Sequence, residues 1–72
     1  MPVIARFCGV VIRLLVLQPM GTRIHAFHGD GELVVDLKTL RVIQGALPGS
    51  LGELVMDWVR NHQLELLHWH AA

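Results

Sequence analysis

Only one cysteine, Cys8, occurs in the chain, so no intrachain disulfide can close and no four-cysteine zinc site can assemble. Set in an apolar run, it reads as a small core residue of a protein kept in a reducing cytoplasm. An excess of one charge is also missing. Six basic and six acidic residues cancel, so no global field draws the chain onto nucleic acid, although local contact stays open. Hydrophobic runs are short. Phe7 to Leu17 falls well below the roughly 20 residues of a membrane span, and Arg13 interrupts it. Arg6 ahead of that run imitates a signal peptide, but no small-x-small cleavage site follows, so a strand is expected and no membrane partner. Glycine-rich phosphate loops, a Ser-His-Asp order, a cysteine–histidine nucleophile pattern and paired carboxylates for glycosidic chemistry are all lacking. Nothing implies a cofactor.

What the chain has in quantity is apolar surface. Hydrophobic residues make up 53% of 72 positions, while a domain of this size buries only about 60% of its unfolded surface. The surplus marks an interface, so self-association or a small partner protein is expected. Leu14, Val16, Trp58 and Trp69 are the candidate interface residues. Charge is unevenly spread. Arg6, Arg13 and Arg23 precede the first acid, Asp30, whereas after Arg41 only Arg60 stands against Glu53, Asp57 and Glu65. The N-terminal third is thus placed to form a local basic patch, with solvated rim charges as the plainer reading.

No repeat, linker or low-complexity tract divides residues 1–72, which read as a single small α+β domain. "FCGVVIRLLVL", apolar on both parities, suits a covered strand over about 6–17. "QPMGT" is loop chemistry, and a strand over about 23–28 follows, with Ile24, Ala26 and His28 on one face and Arg23, His25 and Phe27 on the other. Gly29-Asp30-Gly31 predicts a tight reversal into a strand over about 32–37, where Leu33, Val35 and Leu37 oppose Glu32, Val34 and Asp36. A short fourth strand covers about 41–45. From about 48 to 68 the chain reads as helix: Ser50 and Glu53 have capping-box spacing, and Leu51, Leu54, Val55, Trp58, Val59, His62 and Leu66 follow helical periodicity. The expected fold is a three- to four-stranded antiparallel sheet with one C-terminal helix packed on one face.

The histidines are the candidate chemistry. His25 and His28 fall on opposite strand faces, so the spacing predicts no metal site. A metal-independent ribonuclease needs a general base, a general acid and a cation for phosphorane-like charge. His25, His28 and Arg23 are the candidates for that reading, beside the plainer one of a polar, solvent-facing strand. His62, near the middle of the helix's apolar stripe, is expected to meet His25 if that strand face lies under the helix. His68 and His70 sit where the helix frays, with no assigned role.

"MPVIARFCGVVIRLL", "IHAFHGDGELVVDLKTLRVIQGALP" and "LVMDWVRNHQLELL", in that order, resemble a small bacterial family known as domain of unknown function 4160. The likeness runs from Met1 to Trp69, with Gly29-Asp30, Gly45, Pro48, Trp58, His62 and Leu66 in the family pattern. Members carry Pro-Pro-His-x-His entering the second strand. Here Gly21-Thr22-Arg23-Ile24-His25 keeps the second histidine and places Arg23 at the first. The resemblance implies a second small protein as partner, in an arrangement similar to toxin–antitoxin pairs. The expected function is therefore a non-enzymatic, cytosolic interaction module, with the ribonuclease as alternative.

Overall fold

Cys8 and Gly9 decide how the chain begins. Both adopt positive φ, 50° and 75°, as the two central residues of a type I′ hairpin turn must. The apolar run therefore doubles back: Val3–Phe7 is β1 and Val10–Leu17 is β2, paired antiparallel. This corrects the single strand expected over 6–17. Two adjacent strands give the same apolar signal on both parities as one covered strand does. It also corrects Cys8, whose turn position leaves it exposed instead of in the core.

The computed structural model describes residues 2–17 and 21–68. After β2 come β3 (Gly21–His28), β4 (Gly31–Asp36), β5 (Arg41–Ala46) and α1 (Leu51–Leu67). Each strand pairs antiparallel with its sequence neighbour, giving the order β1-β2-β3-β4-β5. The sheet has five strands, one more than the expected maximum, and α1 follows all of them. The fold is α+β.

The two reversals that follow β3 and β4 have local causes. Between β3 and β4, Gly29 has φ 57° and Asp30 does not share the sign, which is the II′ pattern with glycine first. Between β4 and β5, the Asp36 carboxylate accepts the Lys38 and Thr39 N–H groups at 2.8 and 3.1 Å, and its carbonyl accepts that of Leu40 at 2.8 Å. Leu40 then sits at φ 60°, costly for a branched residue but pinned by its packing on the core. Gly45, at φ 80°, lets β5 lie against β4 beside a bulge; a Cβ there would fall on the backbone carbonyl of Glu32.

One side of the sheet meets α1. Val10, Ile12, Leu14, Ile24, Ala26, Leu33, Val35 and Leu37 from the strands close over Val55, Val59 and Leu66 from the helix. Each of the valine, leucine and isoleucine side chains among them stabilises by about 1.5–3 kcal/mol when fully buried. Leu14 is only 1% exposed, so it belongs to this core and not to an interface. The helix starts without the expected capping box. Ser50 is its N-cap but has φ −88° and ψ 4°, and its side chain makes no cap hydrogen bond. That near-helical backbone departs from the extended geometry that aims a hydroxyl at the first free N–H groups.

Candidate functional site

The face of the sheet turned away from α1 carries most of the chain's polar chemistry. Alternation and register place Val11, Arg13, Leu15 and Leu17 of β2 there, with Arg23, His25 and Phe27 of β3 and Glu32, Val34 and Asp36 of β4. Arg6 joins them opposite Val11, and Arg41 opposite Asp36. At its centre Val34 is only 5% exposed despite having no helix above it, flanked across the strands by His25 and Gln44.

His25 is the most constrained group on this face. Its Nδ1–H donates to Glu32 Oε2 at 2.8 Å, with the imidazole 15% and the carboxylate 38% exposed. The ring also stacks on Phe27, centroids 6.3 Å apart at 18°. With Nδ1 committed to the carboxylate, Nε2 is the nitrogen left for other work. It is buried and has no hydrogen-bond partner among the described residues, and Arg23 Nε is in the same condition. Arg13 lies directly across from His25.

The other imidazoles lie elsewhere. His28 shares the helix-side parity of Ile24 and Ala26, and its ring sits over the first hairpin turn, 3.4 Å from where a Gly9 Cβ would be. His25, His28 and Arg23 are therefore not assembled on one face, and the sheet separates the proposed acid from the proposed base. His62 donates from Nδ1 to the Trp58 carbonyl at 2.7 Å and stacks on the Trp58 ring at 4.4 Å. Trp58 in turn stacks on Phe7 at 6.1 Å, so this half-buried indole is engaged within the chain. The expected approach of His25 to His62 is corrected: the helix covers the Ile24 side of β3, leaving the two on opposite sides of the sheet. His68 donates to the Leu64 carbonyl at 2.7 Å. Val16, 39% exposed, lies beyond the helix's cover at the end of β2. Trp69 and His70 lie outside the described residues.

Two clefts flank α1. One, about 520 Å³, opens toward β5 between Leu33, Val42, Leu47 and Met56, rimmed by Glu53 and Asp57. The other, about 470 Å³, opens toward β1 between Val3, Ala5, Trp58, His62 and Glu65. Among the described residues, no three of histidine, cysteine, aspartate or glutamate gather to hold a metal, and no helix is long and apolar enough to cross a membrane.

Glu32 is the partner that sequence reasoning did not assign to His25. The signal was present: a two-residue turn fixes Phe27 opposite Glu32, which brings Glu32 diagonal to His25 on the same face. No curated protein and no solved structure matches the chain. A comparison with known families does match, over residues 21–70, which include β3, the β3–β4 turn, β4 with Glu32, β5 and α1. By that match, extending over well more than half of its length, the chain belongs to the family described as Domain of unknown function (DUF4160).

Proposed function

We propose that this domain is a non-enzymatic protein-interaction module, one component of a two-protein system, which presents the helix-free face of its sheet to a protein partner. The observation that carries this reading is the make-up of that face. Val11 and Phe27 on one side and Leu15 and Leu17 on the other are half-buried there with no described element above them, interleaved with Arg13, His25 and Arg23 and flanked by Arg6 and Arg41. Apolar and aromatic side chains mixed with arginine match the composition of protein–protein contacts, where aromatic residues and arginine are enriched. The buried, unpartnered nitrogens of Arg23 and His25 are a standing cost of about 1–3 kcal/mol each. A docked group that accepts from Arg23 Nε and one that donates an N–H or O–H to His25 Nε2 would offset it.

Hydrolysis of RNA asks more than this face provides. It needs an acid and a base within reach of one substrate, and His25 has Glu32 but not His28 beside it. Two measurements test the proposal. A photo-crosslinker at Leu15 is expected to capture protein, and one at Asp30, exposed in the β3–β4 turn, to capture none. Incubation with RNA without metal is expected to leave the RNA intact. RNA hydrolysis that His25→Ala abolishes would overturn the reading.

A further inference from the structure

The chain is neutral, but its charge is sorted by side. Four arginines on the helix-free face (Arg6, Arg13, Arg23, Arg41) against Glu32 and Asp36 leave that face at +2, taking histidines as neutral. The outer surface of α1 carries Glu53, Asp57 and Glu65 against Arg60, which leaves −2. The remaining pair, Asp30 and Lys38, sits in turns and cancels. On the helix, Arg60 is already bound to Asp57 at 2.8 Å, and Glu53 and Glu65 have no ion-pair partner among the described residues. On the sheet, one Asp36 carboxylate oxygen accepts the turn N–H groups and one Glu32 oxygen accepts from His25. The helix surface is also apolar in the way the sheet face is: Leu64 is 74% exposed, Leu54 41% and Leu67 39%.

We infer that a second copy of this chain is a partner of the helix-free face, docking head to tail, with the sheet of one copy on the outer surface of α1 of the next. This rests on the reading of that face as a docking surface. Two-fold pairing of sheet faces would set arginines against arginines, and pairing of helix surfaces would set carboxylates against carboxylates. Only the mixed contact joins +2 to −2 while setting the helix leucines against apolar residues of the sheet face. Such a contact uses two different surfaces, so it repeats into rings or open chains instead of stopping at a dimer. Nucleic acid suits the face less, since single-strand binders offer several aromatic platforms, whereas here the Phe27 ring is already stacked on the His25 imidazole and no other aromatic ring lies on this face among the described residues.

Charge reversal tests the pairing. Arg6→Glu with Arg41→Glu takes the sheet face from +2 to −2; Glu53→Lys with Glu65→Lys takes the helix from −2 to +2. All four positions are exposed. Melting temperature is checked for each variant, and if either pair is poorly folded the glutamine versions replace it. Light scattering and sedimentation should show wild type associating at micromolar concentration, with the association constant falling on the order of tenfold from about 0.1 to about 1 M salt. Each double variant alone should be monomeric. Their 1:1 mixture should associate again, because every contact in it is once more between opposite charges. A monomeric wild type overturns the inference, and so does assembly indifferent to salt and to both variants. Assembly broken by the sheet variant but untouched by the helix variant overturns it in favour of paired sheets. If wild type is monomeric while Leu15 still crosslinks to a different protein, the docking surface stands and only the second copy is removed.

Discussion

Gly45→Ala probes the sheet where it has least room. Gly45 holds φ at 80°, a region that costs an L-residue about 1–2 kcal/mol. Its added Cβ would meet the Glu32 carbonyl oxygen, with the carbonyl carbon 3.0 Å away. Both atoms are backbone of β4, so no side-chain rotation relieves the clash; β5 must move outward or the bulge must reshape. Overpacking of this kind costs about 1–3 kcal/mol. The total expected loss is about 2–5 kcal/mol, against a whole-domain stability of roughly 4–11 kcal/mol at 0.05–0.15 kcal/mol per residue. Urea unfolding followed by circular dichroism reads the loss directly. Gly49→Ala is the internal control, since Gly49 also has positive φ, 59°, but nothing lies within 4 Å of its Cβ position. It should cost only the backbone term, about 1 kcal/mol. Because the strained carbonyl belongs to Glu32, the His25 ring resonances should shift in Gly45→Ala and stay in place in Gly49→Ala. Equal losses in the two variants, or a Gly45→Ala loss under about 1 kcal/mol, would refute the close approach of β5 to β4.

Other perturbations separate packing from surface. Leu37→Ala, at a fully buried position, should cost about 2–5 kcal/mol, while Leu64→Ala on the exposed helix surface should change the stability of the isolated chain by less than about 0.5 kcal/mol; similar losses in thermal unfolding would contradict the stated core. Gly52→Ala, with open space at its Cβ position, should stabilise α1 by about 0.5–1 kcal/mol, and a lower melting temperature would count against Gly52 being helical. Glu32→Ala removes the carboxylate that orients His25. Because Glu32 is 38% exposed the loss should stay near 1 kcal/mol, with increased mobility of the His25 ring by NMR; an unmoved ring would mean that the Phe27 stack alone holds it.

Local chemistry alone determined much of this protein. The β3–β4 hairpin follows from Gly29-Asp30-Gly31, because a two-residue turn with glycine first fixes the reversal. The opposite faces of His25 and His28 follow from strand alternation, which no tertiary contact can alter without breaking the ladder. The helix over Leu51–Leu67 follows from its apolar period, and the trend from basic to acidic along the chain is plain in the order of residues. Tertiary structure decided the rest. Whether "FCGVVIRLLVL" was one strand or a hairpin depended on Cys8 accepting positive φ, which a cysteine seldom signals. Ser50 kept the spacing of a capping box without its bond, since its backbone, at φ −88° and ψ 4°, lacks the extended geometry of a capping residue. Which face of the sheet the helix would cover was also beyond the sequence, because Leu33, Val35 and Leu37 on one side and Val34 with Val11 and Leu15 on the other are both apolar enough to be buried. That choice put His62 on the far side of the sheet from His25, made Leu14 core, and left His25, Glu32 and the arginines together on the uncovered face.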